Sequence, residues 1–352
     1  MNNEIFETTQ LGSFTVKNKI VRSATYSYLK NESGYISDDE IKMYEELAEN
    51  DIGLIITGQF YVSPDGIFEI DGPSALDDKY LLKMRELVKA VHSHGSKIVP
   101  QISHAGAKSN AAECPVSPSP VELADGKITK VLSIDEITQI KEDFISAAYR
   151  VKQAGFDGVQ IHGAHGYLLS EFISPITNNR SDQYGGSIAN RFRIIREIIE
   201  GIKMKCGDDF PVFVKINSNS ENDEAYENEL FYMLGEFKKL GVTAVELSGY
   251  DWRLRSIKEH HYYIERAAKM REAIGIPIIL VGGIRNLADM ETVLDSGIDM
   301  VSLSRPLISE PDLITRLKNG QDSAKCISCN KCFGLPQKDG RRCILHNKLW
   351  KL

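Results

Sequence analysis

Residues 161–168 read IHGAHGYL, two histidines three positions apart with a tyrosine two places further on. His162, His165 and Tyr167 are residue types that ligate metals, donate hydrogen bonds to a carbonyl oxygen or move a proton. Catalytic zinc takes three protein ligands, and no Asp, Glu or Cys stands at ligand spacing beside this pair. Two buried structural histidines are the plain alternative. The stretch alone leaves the choice open.

A second cluster lies near the C-terminus. Of six cysteines, Cys114 and Cys206 stand alone, while Cys326, Cys329, Cys332 and Cys343 fall in CISCNKCFGLPQKDGRRC. In a reducing compartment this C-x2-C-x2-C-x10-C spacing reads as metal-binding rather than as disulfides. A [4Fe–4S] cluster, a structural zinc and a remnant with free thiols all fit it. A third group suits phosphate. Gly282 and Gly283 in VGGIRN let backbone N–H groups approach an anion, and Ser304 and Arg305 in SRPLI add a hydroxyl and a guanidinium.

Such residues need elements to position them. Strand-like runs at 20–25, 53–62, 97–103, 158–164, 212–218, 244–249, 276–283 and 300–308 alternate with helical stretches. The helices are expected at 37–50, 77–94, 134–154, from about 187, 226–240, 262–274, 287–297 and 310–320. Strands each followed by a helix, Ile- and Val-rich on both faces, predict an α/β fold of the (β/α)8 TIM-barrel kind. It would span residues 1–320, with an N-terminal hairpin, and residues 321–352 would form a short cysteine-bearing C-terminal tail. Barrel active sites gather at the C-terminal strand ends. There lie Ala24 and Thr25, Gly58 and Gln59, Gln101, the histidine pair, Lys215, and the phosphate-suited residues.

Bulk properties narrow the class. The chain has 352 residues, 42% hydrophobic and 26% charged, and no apolar run long enough for a membrane span. A net charge of −7 disfavours a general nucleic-acid binder. The N-terminus lacks a basic flank with an apolar core, so a cytoplasmic protein is expected.

GLIITG, QISHAG, AGFDGVQIHGAHGYLLSEFISP, NNRSDQYGGSIANRFR, ILVGGIR and SRPLI, in this order and spacing, resemble the old yellow enzyme family. The resemblance covers about residues 5–320 and is most specific over 155–193. It implies an FMN-dependent NAD(P)H:flavin oxidoreductase, an ene-reductase of the dienoyl-CoA reductase-like branch. His162 and His165 would bind the carbonyl of a small unsaturated substrate, and Tyr167 would supply the proton. Ala24, Thr25, Gly58 or Gln59, Gln101 and Lys215 would border the flavin. Gly282, Gly283, Ser304 and Arg305 would hold its phosphate, and Tyr26 and Tyr28 would line the substrate side. Three positions depart from the family's usual pattern: Ala24 for proline, Tyr26 for Cys or Thr, and Lys215 for Arg.

The related branch carries a [4Fe–4S] cluster on cysteines spaced one residue wider, fed by a following dinucleotide-binding domain. Here the sequence ends nine residues after Cys343 without a Gly-x-Gly-x-x-Gly stretch, which points to a ferredoxin-like electron donor. A homo-oligomer is also expected. His92 and His94 read as surface or cap residues, and Arg180, Asp182, Tyr184 and Arg191 as a network ordering a loop. Two rivals remain on sequence grounds. One is a flavin-free phosphate-binding lyase or isomerase with Lys215 as a Schiff-base lysine; the other is an electron-transfer subunit built around the cysteine tail.

Overall fold

A computed structural model describes residues 4–29, 31–69, 72–220, 223–333 and 340–345. Eight parallel strands close a barrel in sequence order: β1 Ile20–Arg22, β2 Leu54–Tyr61, β3 Lys97–Ser103, β4 Val159–Gly163, β5 Val212–Asn217, β6 Ala244–Ser248, β7 Ile278–Val281 and β8 Met300–Leu303. All eight are buried along nearly their whole length, as the unbroken Ile/Val content of a sheet covered by helices requires. The principal outer helices are α1 Asp38–Glu49, α2 Leu81–His92, α3 Ile134–Ala154, α4 Arg193–Cys206, α5 Asp223–Lys239, α6 Ile264–Ile274, α7 Leu287–Asp295 and α8 Leu313–Lys318. No described helix is long and apolar enough to cross a membrane.

Local chemistry sets the helix ends. Ser133 and Glu136 form a reciprocal capping box at the start of α3, and Gly155 ends it at φ 93°. α4 buries Ile194, Ile195, Ile198, Ile199 and Ile202, the three-to-four spacing of one apolar stripe. The hairpin Thr9–Leu11/Phe14–Val16 plugs the N-terminal end of the barrel, where Leu11, Phe14 and Val16 pack with Val21, Leu54, Val99 and Phe213. That end is sealed with hydrocarbon, so ligand access lies at the other.

Two boundaries differ from the sequence expectation. β8 stops at Leu303, and Arg305–Ser309 turns at once into a short helix with Pro306 in its first turn, where a missing N–H costs nothing. The helical run from Ser187 is broken at Phe192 into Ile188–Arg191 and α4. The tail returns across the C-terminal face. Ala324 N–H donates to the Arg285 carbonyl (2.8 Å), Asn330 Nδ2 to the Arg253 carbonyl (2.8 Å), and Arg341 Nε to the Tyr26 carbonyl (2.6 Å).

Candidate active site

At the C-terminal strand ends lies a cavity of about 960 Å³. Ala24, Thr25, Tyr26, Tyr28, Gln59, Gln101, His162, His165, Tyr167, Lys215, Gly282, Ser304 and Arg305 all line it. Gly58 and Gly283 do not. A Cβ on Gly58 would stand 3.1 Å from the Thr25 carbonyl oxygen, so Gly58 lets β2 pass behind that backbone, and the bulge between Ile56 and Gln59 turns Gln59 inward. Gly283 lies beneath Tyr262, whose ring a Cβ there would meet at 2.6 Å.

The floor is a buried polar network. Gln160 and His162 sit two apart on β4 and so face the same side of the strand. Gln101 Nε2 donates to Gln160 Oε1 (2.7 Å), and Gln160 Nε2 donates to Glu246 Oε2 (3.0 Å). Glu246 also accepts from Ser23 (2.7 Å) and Ser302 (2.8 Å) and is ion-paired with Lys215 at 3.2 Å. Burial raises the Glu246 carboxyl, but Lys215 and these donors outweigh burial and hold it below its ordinary value. Lys215 Nζ in turn donates to Ser23 Oγ (2.7 Å).

His162 and His165 stand 5.4 Å apart, and the His162 ring is 4.8 Å from that of Tyr167. Burial, reinforced by Lys215 and Lys108, pushes both imidazoles well below their usual value, so they are neutral. A neutral imidazole donates through one nitrogen when the other accepts. His165 Nε2 lies 2.9 Å from Ser248 Oγ, which can supply that proton and leave Nδ1 to donate. His165 adopts φ 62°, and its backbone N–H donates to Asn217 Oδ1 (3.2 Å). Burial pushes the Tyr167 phenol up to about 12, with Gln59 opposing. His162 Nδ1 and Gln59 Oε1 are buried without a hydrogen-bond partner, capacity that a ligand in the cavity would satisfy.

Aromatic and cationic side chains ring the mouth. Tyr26 meets Tyr28 (4.7 Å) and Phe68 (6.3 Å), and Phe68 meets Tyr167 (5.8 Å). Arg341 lies over Tyr28 (4.6 Å) and over Phe333 (4.0 Å), which packs on Trp252 (4.8 Å). The tail therefore forms part of the wall. On the phosphate-suited side, Arg305 Nη1 donates to Asn330 Oδ1 (2.7 Å), and Arg285 donates to Ser328 Oγ (2.9 Å) and Tyr262 Oη (3.1 Å).

Sequence reasoning missed Glu246, Ser23, Arg285, Phe333 and Arg341. Only Glu246 carried a usable signal, a carboxylate in the middle of a strand otherwise suited to burial. His162 and His165 are joined by no third metal ligand among the described residues. Lys215, bound on both sides, is not placed as a nucleophile. His92 pairs with Asp157 (2.7 Å) and His94 with Glu45 (3.7 Å) at the surface. Arg180 pairs with Asp182 and donates to the Pro118 and Leu132 carbonyls, and Arg191 reaches the Ile173 carbonyl, as expected of a network that orders a loop.

Cys326, Cys329, Cys332 and Cys343 line one small cavity together with Arg305 and Asn330. Among the described residues, no three of these sulfurs lie within 4.8 Å of one another. Four thiols around one space are the donor set of a shared metal or metal–sulfur site.

A family model described as NADH:flavin oxidoreductase / NADH oxidase matches residues 4–323. Over 350 residues the chain is 35% identical to an NADH oxidase of Thermoanaerobacter brockii, covering 94% of this chain and 53% of the relative. The chain thus spans about half the length of that relative. It is 32% identical over 315 residues to an NADPH dehydrogenase of Halalkalibacterium halodurans, covering 88% of this chain and 93% of the relative. Among solved structures, morphinone reductase superposes with a TM-score of 0.79 at 27% identity, covering 92% of each chain.

Proposed function

The chain belongs to the NADH:flavin oxidoreductase / NADH oxidase family, that of the old yellow enzymes, and from that premise we propose that it reduces an activated C=C bond using FMN and hydride from NAD(P)H. The observation that carries this reading is the meeting of two neutral histidines and a proton-bearing tyrosine on one cavity.

The residues present fit FMN. Gln59 Oε1 and His162 Nδ1 are unpartnered polar atoms on the cavity wall, and Gln101 spends its N–H on Gln160, which leaves its oxygen to accept. Ala24, Thr25, Gln59 and Gln101 would border the ring, and Lys215 would supply a cation beside it. Gly282, Ser304 and Arg305 would hold the phosphate, with Gly283 shaping the turn behind Gly282. When bound, FMN supplies the hydride chemistry between NAD(P)H and the alkene. The chain's own groups handle charge and protons. His162 and His165 donate to the carbonyl oxygen as it gains enolate character, and Tyr167 Oη delivers a proton to the α-carbon. Neutral histidines suit the first task, because they bind a carbonyl without surrendering a proton to it.

The four tail cysteines would hold an iron–sulfur cluster, with a ferredoxin-like protein as an electron source besides NAD(P)H. The test is an anaerobic preparation assayed for FMN and iron and then given NADH, NADPH and 2-cyclohexenone in D2O. FMN at equimolar content, and saturated ketone carrying one solvent deuterium at the α-carbon, is the expected result. Protein that neither contains nor binds FMN defeats the reading.

A further inference from the structure

Two cations face the cavity beside the tyrosine. Lys108 Nζ donates to the His165 carbonyl oxygen (2.5 Å) and lies 5.5 Å from the centre of the Tyr167 ring. Arg253 stacks its guanidinium 5.1 Å from the Trp252 ring. Both side chains are exposed and line the cavity, and among the described residues neither has a carboxylate within ion-pair distance. Their nearest fixed partners are a neutral carbonyl and an aromatic face, neither of which carries a negative charge.

The carboxylates on the same cavity do not supply the missing charge. Glu229 is already paired with Arg191. Glu171 is buried, with one oxygen accepting from Ala107 N–H (3.1 Å) and the other unpartnered. Burial pushes it up to about 8, against the opposing pull of Ala107 N–H and Lys108, so at neutral pH it is largely uncharged. Glu122 lies on the exposed rim. Two like charges thus stand beside one proton donor, and desolvation together with Arg253 lowers the Lys108 ammonium despite Glu171. Both side chains are open to solvent at the cavity mouth, and an anion placed between two such like charges is attracted by each.

We infer that Lys108 and Arg253 receive a carboxylate carried by the substrate close to its reacting C=C bond. The inference rests on the ene-reductase reading and narrows it to unsaturated acids. Lys108 sets the distance, since its ammonium is anchored to the same turn that carries His165 and Tyr167. A carboxylate bound there lies within a few bonds of an alkene presented to Tyr167. The pyrophosphate of a nicotinamide dinucleotide is the competing anion, and it would reach the same mouth from outside.

The test measures binding of trans-cinnamate and its neutral isostere trans-cinnamamide to the FMN-loaded full chain by calorimetry, in wild type and in Arg253→Gln and Lys108→Gln. NADH affinity for the same proteins is measured anaerobically. Cinnamate should bind about tenfold more tightly than cinnamamide, equivalent to ~1.4 kcal/mol, and the preference should shrink as salt is added. Either substitution should remove most of the preference, and Arg253→Gln, at an exposed position, tests it without disturbing the turn at His165. Equal binding of the two ligands overturns the inference and leaves the ene-reductase reading standing. So does a variant that weakens NADH but keeps the preference for cinnamate, which would assign the cations to the dinucleotide. Failure of both ligands to bind a protein that holds FMN overturns the inference together with the reading beneath it.

Discussion

Tyr167 is set apart from the chain's other tyrosines by its neighbours rather than by its chemistry. Burial keeps its proton on, and the neutral His162 ring at 4.8 Å places a carbonyl-binding group beside it. Replacing it with phenylalanine removes only the hydroxyl. Tyr167→Phe should slow the reoxidation of reduced enzyme by 2-cyclohexenone by about 10²–10⁴-fold, the usual worth of a positioned acid, as read by stopped-flow absorbance. Lys215 gives a second prediction, about stability. Glu246 is fully buried and kept ionised by that cation at 3.2 Å. Lys215→Met should cost about 3–5 kcal/mol in urea unfolding because it strands a buried charge, and Lys215→Met/Glu246→Gln should recover a large part. Equal losses in the single and double variants would show that the pair is not coupled. The motif made His162, His165 and Tyr167 legible, since their spacing on one strand end survives in the structure. Glu246 was hidden because its importance comes from Ser23, Gln160, Lys215 and Ser302, which four other strands and their ends bring to it.

The turn after β7 shows how an element builds a binding surface. Gly282 has φ 135° and Gly283 φ 72°, values that an L side chain resists, and Tyr262 lies directly over both. The loop carrying Tyr262 is held in turn by His260 and His261, 2.8 and 3.2 Å from Asp289 Oδ1. Gly283→Ala should therefore strain the turn and press on Tyr262. Strain of roughly 1–3 kcal/mol should weaken FMN binding at least about fivefold in a fluorescence titration, with barrel circular dichroism unchanged. Undiminished FMN affinity would place the phosphate elsewhere. Sequence periodicity located all eight strands, because parallel strands buried on both faces read as continuous Ile/Val runs. It failed where an element stops. Nothing in MVSLSRPLI marks Leu303 as the last strand residue, yet Pro306 sits comfortably in a first helical turn and forces the change. Gly58 was misplaced for a related reason, since the β-bulge that turns Gln59 inward depends on backbone packing against Thr25.

At the scale of the whole molecule, the barrel and the tail make one site, and the tail's part in it could not be read from sequence. Phe333 and Arg341 reach the cavity wall through contacts with Trp252, Tyr26 and Tyr28, distant in sequence and supplied by opposite sides of the barrel mouth. The same folding buries Glu40 and Glu171, both outside the floor network. Burial pushes Glu40 up to about 7 against hydrogen bonds from Asn31 and Ser27, and Glu171 up to about 8. Both values lie above the ordinary 4.5, so the folded chain holds more protons than the unfolded chain across that interval. The stabilising contribution is complete below the unfolded value and is lost as pH rises through the folded ones. The share of the unfolding free energy that Glu40 and Glu171 contribute should therefore fall between pH 5 and pH 9, each by on the order of a few kcal/mol. His162 and His165, held neutral in the fold, act in the opposite sense below about pH 6.5. Glu171→Gln keeps an acceptor for Ala107 N–H but cannot ionise, so its stability curve should be flatter than wild type above about pH 6, and Glu40→Gln should act likewise. Urea unfolding at successive pH values decides the matter. Parallel curves for wild type and both variants would mean that water or a shift in packing lets these carboxyls ionise in the folded state. Flatter curves would show that a protonated Glu171 is part of the folded protein at neutral pH, which leaves Lys108 and Arg253 without a carboxylate of the chain's own at the cavity.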